Sequence, residues 1–373
     1  MEHLSGVLLG SSPNMWPYLF LFFVSAFLAV RKLRVMPTPM PGRGLPITWR
    51  NVFVLLVLMI GLRHEVGGDW QHYLDNIEWA SGEAFSDSFT GGRDPADGIL
   101  NWIAAQSGLG AYLLNSVYAI FFSMGLVAFC RSQPRPWLAL TVAIPYLITV
   151  VAMGYSRQGA AIGLAMMGLV ALENKRVMKF LLLIILAAMI HRSAVVLIPL
   201  AILADSRRRI FTLFWVVVTV AILFYLLLQE HVETFISGYI DAEYESSGAS
   251  IRIAMNAVPA LLLLLARKRF GLLSSQSSFW TWMAWGALAF VALLYVSPSS
   301  TAVDRLALYW IPLQLFVWSR FPDAMGRPGA RNAFWVYAVI LYSATVYLVW
   351  LFFAVHSEYW IPYKFYPMVW LWQ

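Results

Sequence analysis

Residues 177–204 read VMKFLLLIILAAMIHRSAVVLIPLAILA, an apolar run interrupted by His191-Arg192-Ser193. Lys175, Arg176 and Lys179 stand at its start, and Arg207-Arg208-Arg209 follow its end. Short basic tracts of this kind mark the cytoplasmic ends of membrane spans. Both ends then belong on one side, so the run turns back on itself at His191-Arg192-Ser193. Each arm of that hairpin has about 11–14 residues, or about 16–21 Å at 1.5 Å per residue. A hydrocarbon core of about 30 Å is too thick for either arm to cross. His191 is therefore expected below the outer surface, in protein or a wet cavity, because a lipid-exposed turn leaves backbone groups unsatisfied. The alternative is one long tilted helix, which sends Arg207 outside against the charge pattern.

The same logic extends along the chain. Further basic tracts occur at Arg31-Lys32-Arg34 with Arg43 and Arg50, at Arg131 and Arg135, at Arg267-Lys268-Arg269, and at Arg320, Arg327 and Arg331. Between them lie apolar runs at 15–30, 47–62, 111–130, 137–153, 156–172, 211–228, 251–266, 279–296, 304–319 and 333–354. With the hairpin this makes an all-α, polytopic transmembrane bundle of about 11–12 spans. Only 12% of the 373 residues are charged and 60% are hydrophobic, against roughly 25% charged in soluble domains. A soluble enzyme, a disordered chain and a nucleic-acid binder are excluded. The net charge of +7 reads as topology, and the single cysteine, Cys130, leaves no disulfide framework or cysteine metal site.

Both termini then face outward. The chain reads as a single integral membrane domain over 1–373, with a large outer loop at 63–110 and a second at 229–250. The apolar piece 98–109 of the first loop is expected to form a re-entrant or interfacial helix. The tail from Trp360 to Trp372, rich in Trp, Tyr and Pro, fits an interfacial aromatic belt.

This topology sorts the charges. Outside the cytoplasmic tracts stand Arg63, Arg93, Arg157, Arg192, Arg252, Arg305 and Lys364. Arg63 closes one span, Arg157 and Arg305 each open one, and Arg192 sits at the hairpin turn. Arginine offers a planar fork of donors suited to phosphate and carboxylate. A helix N-terminus adds free N–H groups and a positive dipole end. The set points to a shared anionic site, with phosphate at a membrane surface as the natural ligand. The competing reading has the arginines reaching to lipid headgroups or pairing with Asp304 and Glu65. His191 is a candidate general base, its neutral form favoured by the adjacent Arg192, unless it only hydrogen-bonds a carbonyl at the turn. Asp69, in Gly67-Gly68-Asp69-Trp70, is the rival carboxylate base, with a turn or helix cap as its plainer role. No H-E-x-x-H, Walker, EF-hand or nucleophile-elbow pattern occurs, so no metal site and no cofactor is expected.

Four motifs in order carry a resemblance: Arg63-x-x-x-Gly67-Gly68-Asp69-Trp70-x-x-Tyr73, Ser156-Arg157-Gln158-x-Ala160, His191-Arg192-Ser193-Ala194 and Arg305-x-x-x-Tyr309. Together they resemble the EpsG family of Wzy-type polymerases of bacterial surface polysaccharide, across roughly residues 50–320. The commonest form of the first motif has Gly-Thr-Asp-Tyr; this chain departs from it but keeps the aspartate. The resemblance implies a GT-C-like glycosyltransferase architecture in the bacterial inner membrane, with the active site facing the periplasm. It implies metal-independent, inverting transfer from a glycan on undecaprenyl diphosphate to a hydroxyl of a second lipid-linked repeat unit. Catalysis falls to His191 or Asp69, and diphosphate binding to Arg157, Arg305, Arg63 and Arg192. Tyr73, Gln158, Tyr309 and Asp304 are assigned to the sugars. Implied partners are the lipid-linked donor and acceptor, membrane lipids and a chain-length regulator protein. The alternatives are an O-antigen ligase-like enzyme, a lipid-linked oligosaccharide flippase or transporter, and a membrane acyltransferase.

Overall fold

The structure is a computed structural model that describes residues 14–35, 44–89, 93–201, 209–227, 248–272 and 274–371. Most of the 229–250 loop and the Arg207–Arg208 part of the basic tract lie outside the described residues. Among those described there is no strand, and a single isolated bridge pairs Arg63 with Phe365. The helices are α1 (Trp16–Arg31), α2 (Ile47–Gly61), α3 (Trp70–Ser81), α4 (Pro95–Ser107), α5 (Gly110–Ser132), α6 (Pro136–Ala143, continued in wider π turns over Ile144–Ala152), α7 (Ser156–Glu173) and α8 (Val177–Ile190). They continue as α9 (Arg209–Leu227), α10 (Ala249–Leu265), α11 (Ser274–Val296), α12 (Ser300–Ala307), α13 (Ile311–Met325), α14 (Ala333–Phe353) and α15 (Tyr366–Leu371). Residues 110–132, 276–296 and 333–353 are long and apolar enough to cross a membrane. Phe20, Phe23 and Phe27 of α1 and Phe334, Tyr337 and Leu341 of α14 are exposed, as expected of helix faces that meet lipid.

Helix α7 is the axis of the bundle, buried along most of its length. Its small residues explain this. A Cβ added at Gly163 would lie 2.4 Å from Phe122 Cα, and one at Gly125 would lie 1.8 Å from Gly163 O. Helices α5 and α7 therefore touch backbone to backbone, as small residues permit in membrane bundles. That contact fixes the start of α7, where Arg157 stands.

The expected runs match helices closely except at 304–319. There the chain forms the short helix α12, a 3-10 turn over Leu308–Trp310, and then α13. Pro312 lies in the first turn of α13, and such a residue starts a helix more readily than it continues one. Arg305 thus occupies the last turn of α12 and does not open a span. The 98–109 piece is α4, starting at Pro95 and ending before Gly108; it is a 13-residue helix packed on α3, α5 and α8. In the hairpin segment, α8 ends at Ile190, His191 is extended, and a 3-10 turn follows over Arg192–Leu197. Helix α9 then packs against α8.

Two polar ends can be distinguished. At one, Arg135 donates to both Asp323 carboxylate oxygens at 2.8 Å, to Ala330 O at 2.8 Å and to Leu33 O, tying together the ends of α1, α6 and α13. Arg320 reaches Gln133 at the same end. At the other, Asn14 O accepts from Tyr363 N at 3.0 Å, Lys364 pairs with Glu65 at 2.5 Å, and Trp360 Nε1 donates to Thr149 O at 2.7 Å. The candidate site lies at this second end.

Candidate active site

The site is assembled by loops clamped onto the start of α7. Gly67 has φ +103, and a Cβ there would meet Met153 O at 2.2 Å. Only glycine allows this approach. It carries Asp69 against the α6–α7 turn, where Asp69 N donates to Gly154 O at 3.3 Å. The Asp69 side chain caps no helix N–H, and among the described residues its carboxylate has no ion-pair partner. Burial raises its pKa above the ordinary 3.8, against an opposing pull from Arg305 and then Arg157.

Arg157 lies in the first turn of α7. Its Nη1 donates to Asp97 at 3.0 Å, with the Arg157 side chain 35% exposed and Asp97 3% exposed. Asp97 is held in turn by the Tyr118 hydroxyl and by Asn101 Nδ2 at 3.1 Å. Arg192 Nε donates to Asp94 at 2.8 Å. Burial raises the Asp94 carboxyl, and Arg157 and Arg192 oppose that shift. Both carboxylates come from the start of α4, so this helix aims two of the arginines. Arg305 is exposed, its carbonyl held by Gln158 Nε2 at 2.6 Å, and among the described residues its guanidinium has no ion-pair partner.

His191, 5% exposed, occupies the turn after α8, outside the spanning helices. Its Nδ1 lies 2.7 Å from Ser193 Oγ, which donates to the Tyr309 hydroxyl at 3.2 Å. In that arrangement Oγ accepts the Nδ1 proton and Nε2 carries the lone pair. Burial first, and then Arg157, Arg305 and Arg192, lower the pKa well below 6.5, so the imidazole is neutral.

Arg157 and Arg305 act electrostatically on both His191 and Asp69, and Arg192 acts on His191. The remaining residues take other places. Arg63 is fully buried and donates to Val66 O at 2.9 Å, Asn115 Oδ1 at 3.0 Å, Ser156 Oγ at 2.6 Å and Ile60 O. It locks the Asp69 loop to α5 and α7 and is not turned to a ligand. Tyr73 accepts from Arg157 N at 3.4 Å. Asp304 makes a bidentate pair with Arg252 at 2.7 and 2.8 Å. Tyr73, Gln158, Tyr309 and Asp304 are all buried, and each bonds to a neighbouring residue of the site region. Sequence reasoning missed Asp94 and Asp97. Asp94 stands in Gly91-Gly92-Arg93-Asp94-Pro95, a string whose proline marks the helix start. Among the described residues, no three His, Cys, Asp or Glu side chains gather as a metal-binding set.

These features define an α-helical membrane protein with arginines, a neutral histidine and a half-buried carboxylate at one end of its bundle. A model described as the EpsG family matches residues 47–365, most of the chain, and the chain belongs to that family. EpsG is a family of Wzy-type polysaccharide polymerases. No curated protein and no solved structure matches the chain.

Proposed function

We propose that this protein joins undecaprenyl-diphosphate-linked repeat units into surface polysaccharide by inverting, metal-independent glycosyl transfer at the periplasmic face of the bacterial inner membrane. One observation carries the reading: Arg157 and Arg305 act on both the His191 imidazole and the Asp69 carboxylate, and Arg192 acts on His191 as well. A diphosphate leaving group needs cations where negative charge develops, and a sugar hydroxyl needs a base. The acceptor hydroxyl attacks the anomeric carbon of the donor, and its proton passes to His191 Nε2. The bond from that carbon to the diphosphate oxygen breaks on the opposite face, which inverts the configuration. The diphosphate leaves against Arg157, Arg305 and Arg192. Asp69 accepts hydrogen bonds from acceptor hydroxyls and orients them.

A specific observation also favours a second assignment, with Asp69 as base: among the described residues its carboxylate has no ion-pair partner, and Arg305 and Arg157 act on it. The periplasmic orientation is supported by the basic tracts at the opposite polar end, where Arg135 and Arg320 lie. A GT-C-like arrangement, a single membrane domain and a chain-length regulator as partner fit the same reading. Family membership favours a polymerase over a ligase, a flippase or an acyltransferase. The test is a gel of surface polysaccharide from a deletion strain. A single repeat unit on its anchor in place of a ladder is expected; an unchanged ladder overturns the proposal.

A further inference from the structure

A cavity of about 250 Å³ opens between α4, α5, α7 and α8, and every side chain that lines it is apolar. Ile99 and Leu100 of α4, Val117 of α5, Leu164 of α7 and Leu186 of α8 form its walls. Two of its lining residues are chain neighbours of the candidate site. Ala96, a lining residue, stands between Asp94 and Asp97, the carboxylates that hold Arg192 and Arg157. Ile190, also lining, immediately precedes His191.

The gap has a structural origin. Helix α4 is too short to cross the bilayer and packs on both α5 and α8. The region beside it toward the bilayer centre is therefore walled by α5, α7 and α8. Leu186 is 50% exposed and Ile103 of α4 42%, so the apolar surface runs outward from the cavity. A ligand that fits has an anionic head at the arginines and a long run of hydrocarbon leading away at membrane depth. A soluble sugar phosphate leaves the groove empty. An acyl phospholipid fills the groove but supplies one phosphate to a site offering three guanidiniums.

From this adjacency we infer that the α4–α5–α7–α8 groove holds the polyprenyl chain of the donor and sets its entry direction into the site. The inference rests on the proposed function, naming where the hydrocarbon of the leaving group lies. Its effect is positional: binding energy from remote carbons holds the diphosphate among the arginines, so a donor with a truncated lipid loses affinity.

The direct test is photo-crosslinking of the full-length protein in vesicles with a polyprenyl diphosphate whose chain carries a diazirine. Label is expected on α4 and α8 peptides. Ile99→Trp and Leu186→Trp, both at half-buried or exposed positions, should each remove it without overpacking the core. Leu55→Trp, in the separate cavity between α1 and α2, should not. Label confined to the α1–α2 cavity, or equal label from a diazirine phospholipid that polyprenyl diphosphate does not displace, overturns the inference. This binding result does not depend on polymerisation. Kinetics then separate the two readings. With long-chain donor, Ile99→Trp should raise KM roughly tenfold or more, while turnover of a short-prenyl donor stays unchanged. Equal losses on both donors overturn the groove but leave the polymerase reading intact. Absent turnover in the parent protein, with crosslinking intact, overturns the polymerase reading and leaves the groove.

Discussion

Arg157 of α7 donates to Asp97 of α4 at 3.0 Å, and the Tyr118 hydroxyl of α5 donates to the other oxygen of the same carboxylate. One buried acid thus joins three helices and aims a cation that remains one-third exposed. The guanidinium keeps further donors for a ligand, because a single Nη1 bond is directed at Asp97. A fully neutralised arginine would bind phosphate poorly. A lone, unguided one would lose side-chain freedom on binding.

Asp97→Asn should leave insertion intact and loosen the end of the bundle. Hydrogen bonds to charged groups contribute about 1.5–3 kcal/mol, and the partial exposure of Arg157 places the loss toward the lower value. The melting temperature in detergent should fall by a few degrees, while ladder formation falls far more. A variant with wild-type ladders would mean that Arg157 needs no aiming.

Lysine substitution should separate the two arginines. Arg157 must reach Asp97 and ligand together through a planar fork, which an ammonium does not reproduce. Among the described residues, Arg305 has no carboxylate to share. Arg157→Lys is expected to abolish the ladder and Arg305→Lys to retain part of it, with both proteins present in the membrane. Equal behaviour of the two would count against a divided fork at Arg157.

Gly163→Leu should disrupt the bundle itself. Its Cβ would lie 2.4 Å from Phe122 Cα, a backbone atom that no rotamer change can move. Overpacking of this kind costs typically about 1–3 kcal/mol or more. Thermal melts in detergent should show a large drop, accompanied by loss of activity. Gly108→Ala, where nothing lies within 4 Å but φ is +70, should cost less.

Much of this architecture was legible in the sequence, and the reasons differ by residue. The break at His191 follows from opposed requirements of charge and length in 177–204, so it was recoverable without coordinates. The start of α7 at Ser156 was likewise marked by a turn and a charge. Asp94 and Asp97 were not legible as anchors, because nothing in a one-dimensional pattern reports that α4 lies against α5 and α8. Asp304 was read as a partner for one of the span-end arginines, and it pairs with Arg252, an outward arginine outside that set. Glu65 pairs with Lys364, a residue 299 positions away. Arg63 shows the same limit: its position at a span end was plain, but its buried acceptors on α5 and α7 were not. The split of 304–319 was signalled by Pro312, which the apolar run obscured.

The pH profile can identify the base. If His191 acts, the rate falls as the imidazole is protonated, so the acid limb of kcat/KM lies well below pH 6.5, since burial and the surrounding arginines disfavour the cation. Arg192→Gln removes one of those cations, makes protonation easier, and should move the limb to higher pH. The cations that act most on Asp69 are Arg305, Arg157, His72 and Arg63, and Arg192 is not one of them. A limb that stays in place in Arg192→Gln would therefore point to Asp69.

The Ser193 link supplies the last prediction. Ser193 Oγ lies 2.7 Å from His191 Nδ1 and donates to Tyr309 at 3.2 Å, so it orients the ring and leaves Nε2 with the lone pair. A general base contributes roughly 10²–10⁴-fold. In purified protein with synthetic lipid-linked repeat units, His191→Ala should lower kcat by about that factor with donor binding little changed. Ser193→Ala removes an orienting bond but not the base, so its loss should be intermediate, and Ser193→Thr, which keeps the hydroxyl, should restore most of the rate. Asp69→Asn should mainly raise the KM for acceptor. Near wild-type turnover in His191→Ala together with a dead Asp69→Asn would reverse the roles. In that case the Ser193 and Tyr309 hydroxyls would serve only to fix the turn that carries Arg192.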